Sequence, residues 1–519
     1  MSPEANSNKL EAVQEKAEKQ PSRWTSGLGK IIRREHTVVI LLAVLLASIY
    51  YKNYYKYETW QKSRGHWGIF HYYLGAKYFS EIGNFNLYTC ALEADDEAAG
   101  YWYQITEARD METYRIVPRS SLPPCPHRNF TTERWSEFSQ DVEYFALHAR
   151  PEYFAKLFTD KGFNPPPSWV AVAKPLAQAV PISKSWATDI VFNLDLIAVL
   201  IGVLIIWRSH GGIVPFLTAG LAIIYFGNSA GIGWNFLQYF WFPLVIVATV
   251  LWLRNKPGFS GAALGMAVGL QTFPLFFGLP IVVRGITEFL RHRNKAEWRP
   301  YFRFSGALLA VMLASFLLGS LAGRGVGAWG EWQRKISIHK NYLRGEIFDI
   351  GLTNLTAETV SKNHNHGTSY ADDTPNTFMR LDSLKSKIWI YYALCAMFLA
   401  IWALSVVWAP RDDLFGHGFL IMYAAVSLSP FYYLSLALVP LMFWKSTRVL
   451  RLYATCGTVL LFVAHAIVFR GGSVDWRYLP HLLSEYSIAL FLLGLAVISI
   501  FSYRLARQAL YRAHESWGY

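Results

Sequence analysis

The chain has 519 residues, of which 53% are hydrophobic, 16% aromatic and 16% charged. A soluble protein carries about 25% charged residues, so this composition excludes an ordinary soluble domain and indicates an integral membrane protein. The net charge of +13 does not indicate nucleic acid as a partner, because the basic residues fall in short clusters between apolar runs, where they set topology.

Residues 1–36 read as a cytoplasmic tail, rich in Glu, Lys, Gln and Ala up to about Ser26 and without the apolar stretch of a signal peptide. Apolar runs follow at about 37–54, 186–207, 211–227, 233–253, 259–289, 301–323, 387–409, 415–430, 431–445, 452–469 and 484–503, each near bilayer length. The fold class predicted is an all-α polytopic membrane protein with about 11 transmembrane or re-entrant runs. Its parts are a first span at 37–54, a large outer loop with interfacial helices at 55–185, a bundle at 186–323, a second outer loop at 324–386, a C-terminal bundle at 387–503 and a cytoplasmic tail at 504–519.

Basic clusters stay cytoplasmic. Lys30, Arg33 and Arg34 place the N-terminus inside, and Arg208, Arg254 and Lys256 follow by alternation. Arg291, His292, Arg293 and Lys295 also ask to be inside, which requires the 259–289 run to enter and leave on one face. Gln271-Thr272-Phe273-Pro274 is where it would break into half-helices, since proline interrupts the hydrogen-bond ladder. Lys445, Arg448, Arg451, Arg504 and Arg507 then fall inside, and both long loops face outward. Of the four cysteines, Cys395 and Cys456 lie in apolar runs as small core residues, whereas Cys90 and Cys125 share the first outer loop and are expected to pair in an oxidising compartment.

A polytopic protein with a large soluble loop directly after its first span commonly does chemistry there, whereas transporters work at the midplane. That loop opens on His66-Trp67-Gly68-Ile69-Phe70-His71-Tyr72-Tyr73 and continues through Lys77 to Glu81. Leu74, Tyr78 and Phe79 fit one face of a short helix on the membrane surface, which would bring His71 and Lys77 near the headgroups; Gly83 and Asn84 end it. An interfacial aromatic belt explains the same residues without chemistry.

The Tyr72-Tyr73 helix, Gly233-Trp234-Asn235-Phe236-Leu237, the small-residue helix from Gly261 to Gly269 before Phe273-Pro274, Lys335-Ile336-Ser337-Ile338-His339 with Gly351-Leu352, and Ser429-Pro430 before Tyr432-Tyr433 occur in that order. Together they resemble the GT-C superfamily of polyprenol-dependent membrane glycosyltransferases, nearest to glycosyltransferase family 87 with its envelope mannosyltransferases. The resemblance implies a polyprenyl phosphate sugar as donor, a glycan or glycolipid acceptor, membrane lipid as surroundings, no cofactor, and a place in the inner (cytoplasmic) membrane with the site on its outer face. The chain departs from the pattern in three places. The acid expected before the aromatic pair is absent from Gly68-Ile69-Phe70-His71, Gln271 stands where a basic residue is expected, and Trp234 where a glutamine is.

Transfer from a polyprenyl phosphate needs a base on the acceptor hydroxyl and cations on the departing phosphate. His66, His71 and Glu81 are the nearest base candidates, since histidine serves near neutral pH, with Asp141 next in Phe138-Ser139-Gln140-Asp141-Val142-Glu143. Lys77, Arg115 and Arg119 are the phosphate candidates. Tyr72, Tyr73, Asn164 beside Phe163, Asn235, Gln271 and His339 complete the expected substrate-binding set. Asp195 in the second span is a functional candidate as an intramembrane acid. His364 and His366 have no second ligand pair, so no metal is expected. No nucleotide-binding glycine-rich loop stands out, which favours a lipid-linked donor. A transporter or lipid flippase, or a catalytically inactive relative acting as an assembly partner, are the competing readings.

Overall fold

A computed structural model describes residues 66–148, 151–210, 212, 214–224, 235–291, 294–346, 349–360, 374–453 and 485–502. The chain divides into the units Met1–Tyr57 and Glu58–Tyr519, and all described residues belong to the second. The expected span at 37–54, the cytoplasmic tails and most of the run at 452–469 lie outside the described residues.

The protein is mostly helical. Four described helices are long and apolar enough to cross a membrane: Ile190–His210, Lys295–Ser320, Ile388–Trp408 and Glu485–Ser502. Among the described residues, the runs at 211–227 and 233–253 contain the shorter helices Val214–Ile224 and Trp241–Leu253. The stretch 415–445 is a chain of short pieces, including the helix Gly418–Ala425 and a 3-10 segment Pro430–Leu438. Pro430 lacks an amide hydrogen and holds Ser429 extended, which stops a continuous helix there.

The 259–289 run breaks at Gln271 into helix α1 (Pro257–Leu270) and helix α2 (Leu275–Arg291), both packed on helix α3 (Lys295–Ser320). A Cβ at Gly261 would lie 2.1 Å from the Phe304 carbonyl oxygen, and one at Gly269 would lie 2.6 Å from Ser315, so α1 runs parallel to α3. Small residues at four-residue spacing permit this approach. Gly278 faces Leu308 and Gly285 faces Tyr301, so α2 runs antiparallel to α3. The run therefore doubles back, with Pro257 and Arg291 both at the Lys295 end. Its tip lies at the other end, where the Ser168 hydroxyl donates to the Gly269 carbonyl at 2.5 Å.

The long loop before the helix Ser185–His210 has an aromatic core of its own. Phe70 meets Trp102, Phe145, Phe154 and Phe158, and Trp102 stacks on Phe154 with centroids 4.6 Å apart. A short antiparallel pair, Glu107–Arg109 with Ile116–Pro118, was not foreseen. Cys90 and Cys125 are disulfide-bonded, with Cα atoms 4.8 Å apart. The expected surface helix at the start of the loop does not form as such. Residues 66–82 are a succession of short helical turns, π-helical at Phe70–Leu74, and Phe70, Tyr73, Leu74, Tyr78 and Phe79 are wholly buried. Aromatic residues on all sides of this segment, rather than one, draw it into the core.

Candidate functional site

The loop Asp160-Lys161-Gly162-Phe163-Asn164 is the hub around which polar groups gather. Gly162 has φ +71°, and a Cβ there would meet Met111 Sδ at 2.6 Å, so only glycine fits without strain. The Lys161 carbonyl accepts from Tyr114 Oη (3.0 Å), Lys335 Nζ (3.2 Å) and Asn164 Nδ2 (3.3 Å). Lys161 Nζ pairs with Glu346 at 2.9 Å, joining the first long loop to the second.

On one wall, Lys335 is fully buried on helix α4 (Gly327–Leu343). Its ammonium lies against Met111 Sδ and the face of Tyr114, 4.6 Å from the ring centroid. Burial first, and Arg109 second, push its pKa well below the usual lysine value. His339, one turn on, is bonded through Nδ1 to Tyr114 Oη at 3.1 Å. Burial and the charges of Lys161 and Lys335 hold its pKa well below that of ordinary histidine.

On the other wall, Asp349 is wholly buried, and neither carboxylate oxygen has a hydrogen-bond partner among the described residues. Burial raises its pKa well above the usual range, Glu346 adds to this, and Lys161 opposes it. The next residue, Ile350, is fixed by a two-way backbone bridge to Leu428. Asp349 acts electrostatically on Tyr432, whose hydroxyl donates to Gln271 Oε1 at the hairpin tip (3.3 Å). Tyr72 lies within electrostatic reach of Tyr432, Tyr239 and Asp160, and burial raises its pKa. Tyr72 and Tyr432 are each only partly buried.

Tyr72, Asn164, Gln271 and His339 are thus brought around one region. The base candidates are not. His71 is turned into the aromatic core, its Nε2 2.6 Å from Tyr88 Oη. Glu81 is also buried and is bound through Oε1 to Arg134 Nε at 2.7 Å. His66 opens a helical turn, and its side chain lies outside the described residues. Lys77 is not at the headgroups. It is buried between Asp141 (2.6 Å) and Glu137 (2.9 Å), and Asp141 also accepts from Tyr78 Oη at 2.8 Å. This pairing uses both Lys77 and Asp141 inside the loop.

Arg119 is held by the Leu92 carbonyl and Asp96, and Arg115 is exposed over the Phe378 ring. Tyr73 donates to the Val180 carbonyl at 2.9 Å. Asn235 is buried at the start of the turn whose Gln238 and Tyr239 amides donate to Asp195, so Asp195 pins a backbone turn. Glu93, Cys125 and His127 are close enough to hold a metal ion, but the disulfide has taken the thiol.

No protein-family model matches this chain, and no curated protein or solved structure is significantly similar to it. Asp160, Lys161, Tyr114 and Asp349 were not picked out from sequence. Asp349 is an ordinary loop acid there, and only its missing partners set it apart.

Proposed function

We propose that the protein is a membrane glycosyltransferase, moving a sugar from a polyprenyl phosphate donor to a lipid or glycan acceptor in the crevice between the two outer loops and the hairpin tip. The observation that carries this reading is Asp349, a buried acid with a raised pKa and no hydrogen-bond partner among the described residues, within electrostatic reach of Lys161. Its raised pKa favours the protonated form, so it takes a hydroxyl proton only as the ionised fraction, and turnover should rise as pH passes through the raised value. In the step envisaged, the acceptor oxygen bonds to the anomeric carbon and its proton passes to Asp349. The bond from that carbon to the phosphate oxygen breaks, and the electron pair leaves with polyprenyl phosphate. Lys161 is the charge nearest to meet that phosphate.

The arrangement of charge supports an outward-facing crevice. Arg291, Lys295 and Asn255 with its partner Arg411 lie at the hairpin's open end, away from both loops. The disulfide suits an oxidising compartment. The doubled-back hairpin also favours the transporter reading, in which buried acids carry protons.

The test is reconstitution in vesicles with a radiolabelled polyprenyl phosphate sugar and a lipid-extract acceptor. Labelled glycolipid should form, and Asp349→Asn should lower turnover about 100-fold or more while donor binding holds. Full turnover by Asp349→Asn would move the base elsewhere, with Asp160 next. Solute movement without any transfer would favour transport.

A further inference from the structure

At the other end of α4, Ser80, Asn129, Gly323, Arg324, Gly327 and Glu331 line a polar cavity of about 450 Å³. Lys335 lies one helical turn beyond Glu331, roughly 6 Å along the axis at 1.5 Å rise per residue, and is not among the residues that line this cavity. Gly323, Arg324 and Gly327 belong to Leu321-Ala322-Gly323-Arg324-Gly325-Val326-Gly327, a glycine-rich link between Ser320, the last residue of α3, and α4. Gly323 has φ +113°, and a Cβ there would lie 2.0 Å from Ser80 Oγ and 3.0 Å from Lys174 Nζ, so a side chain would close the cradle.

Two cations meet here. Lys174 Nζ donates to Ser80 Oγ (2.5 Å) and the Ala322 carbonyl (3.4 Å), with no carboxylate at ion-pair distance among the described residues. Burial lowers its pKa, although the nearby Glu81 opposes this. Arg324 donates to the Ser80 carbonyl (3.0 Å) and pairs with Glu331 (3.0 Å), whose other oxygen accepts the Asn84 amide. Glu331 thus offsets one of the two positive charges, leaving a deficit of one negative charge. Asn84 has a 1% exposed side chain with neither amide atom partnered among the described residues.

The depth of the cavity follows from its rim. Leu321 and Val326 are 79% and 66% exposed and flank the end of a membrane-length helix. Apolar side chains so exposed beside a span belong in lipid, which sets the cavity at the headgroup level.

We propose that this cavity binds the singly charged phosphodiester of a membrane lipid headgroup, with Lys174 and Arg324 on its oxygens and the acyl chains passing over Leu321 and Val326. An ammonium supplies a point charge and a guanidinium a planar fork. The site stands whether or not the crevice transfers sugars.

Native mass spectrometry of the delipidated full chain, titrated with phosphatidylglycerol, tests the proposal. One phosphatidylglycerol should be retained, about tenfold more weakly in Lys174→Gln and Arg324→Gln, as expected for one lost charge-assisted contact. Lys174→Arg should restore retention, and Asp349→Asn should leave it unchanged. Equal retention by wild type and Lys174→Gln would overturn the site, as would displacement of the lipid by inorganic phosphate at comparable concentration, which marks a free-anion site. Should Arg324→Gln fail to fold, Lys174→Gln decides, since that lysine makes no ion pair to lose.

Discussion

Replacing Cys90 and Cys125 by alanine should loosen the first long loop measurably. The bond joins residues 35 apart, with Cys90 at 0% and Cys125 at 6% exposure. The chain-entropy relation for a loop of that length gives about 3.8 kcal/mol near 25 °C. Local contacts offset part of the loss. The Cys125 amide still donates to Glu93 Oε1 at 2.7 Å, His127 still pairs with Glu93, and Arg119 still binds the Leu92 carbonyl. The expected loss is therefore roughly 2–4 kcal/mol. The assay is urea unfolding of the protein in nanodiscs, followed by fluorescence of the loop tryptophans Trp102 and Trp135, with and without reductant. Reductant should shift the wild-type midpoint down and leave the double-alanine variant unmoved. An unshifted wild-type midpoint, or ready alkylation of Cys90 in unreduced protein, would refute the reasoning.

Asp141→Ala should destabilise the same loop by about 3 kcal/mol, because it strands a buried ammonium with only the part-exposed Glu137, and thermal unfolding reads the loss. Gly162→Ala should cost about 1–2 kcal/mol for the left-handed backbone, with a further loss from the push on Met111, checked by the same melt. Asp349 has a raised folded pKa, so the fold holds a proton that the unfolded chain has released. Its stabilising contribution is present at low pH and declines as pH rises from the ordinary carboxylate value, about 3.9, through the raised folded value. Asp349→Asn should therefore melt higher at neutral pH and show a flatter stability profile, and a lower melting point there would count against the buried-acid account. Cysteine placed at position 295 should resist impermeant label in intact cells, whereas one at 115 should react.

Four long apolar helices, the helix break and the disulfide were legible because each has a local cause: a long apolar run, a proline inside one, two cysteines in one loop. The burial of residues 66–82 was not legible. Periodicity reports which side chains share a face but not what packs on it, and the partners of His71 and Lys77 are Tyr88 and Asp141, far along the chain. The strand pair was too short to leave an alternating pattern. Gln271 is bonded to Tyr432 and His339 to Tyr114, both on motifs quoted from the sequence or near them, while Asp349 required knowledge of its surroundings. The Gly323-Arg324-Gly325-Val326-Gly327 link escaped notice because it does not have the spacing of a nucleotide loop.

The most direct measurement is a structure with a non-hydrolysable polyprenyl phosphonate sugar bound. The account predicts the phosphonate within hydrogen-bond reach of Lys161 and the anomeric carbon facing the space beside Asp349. An analogue seated outside the crevice, with Asp349 still enclosed and remote from the sugar, would contradict it.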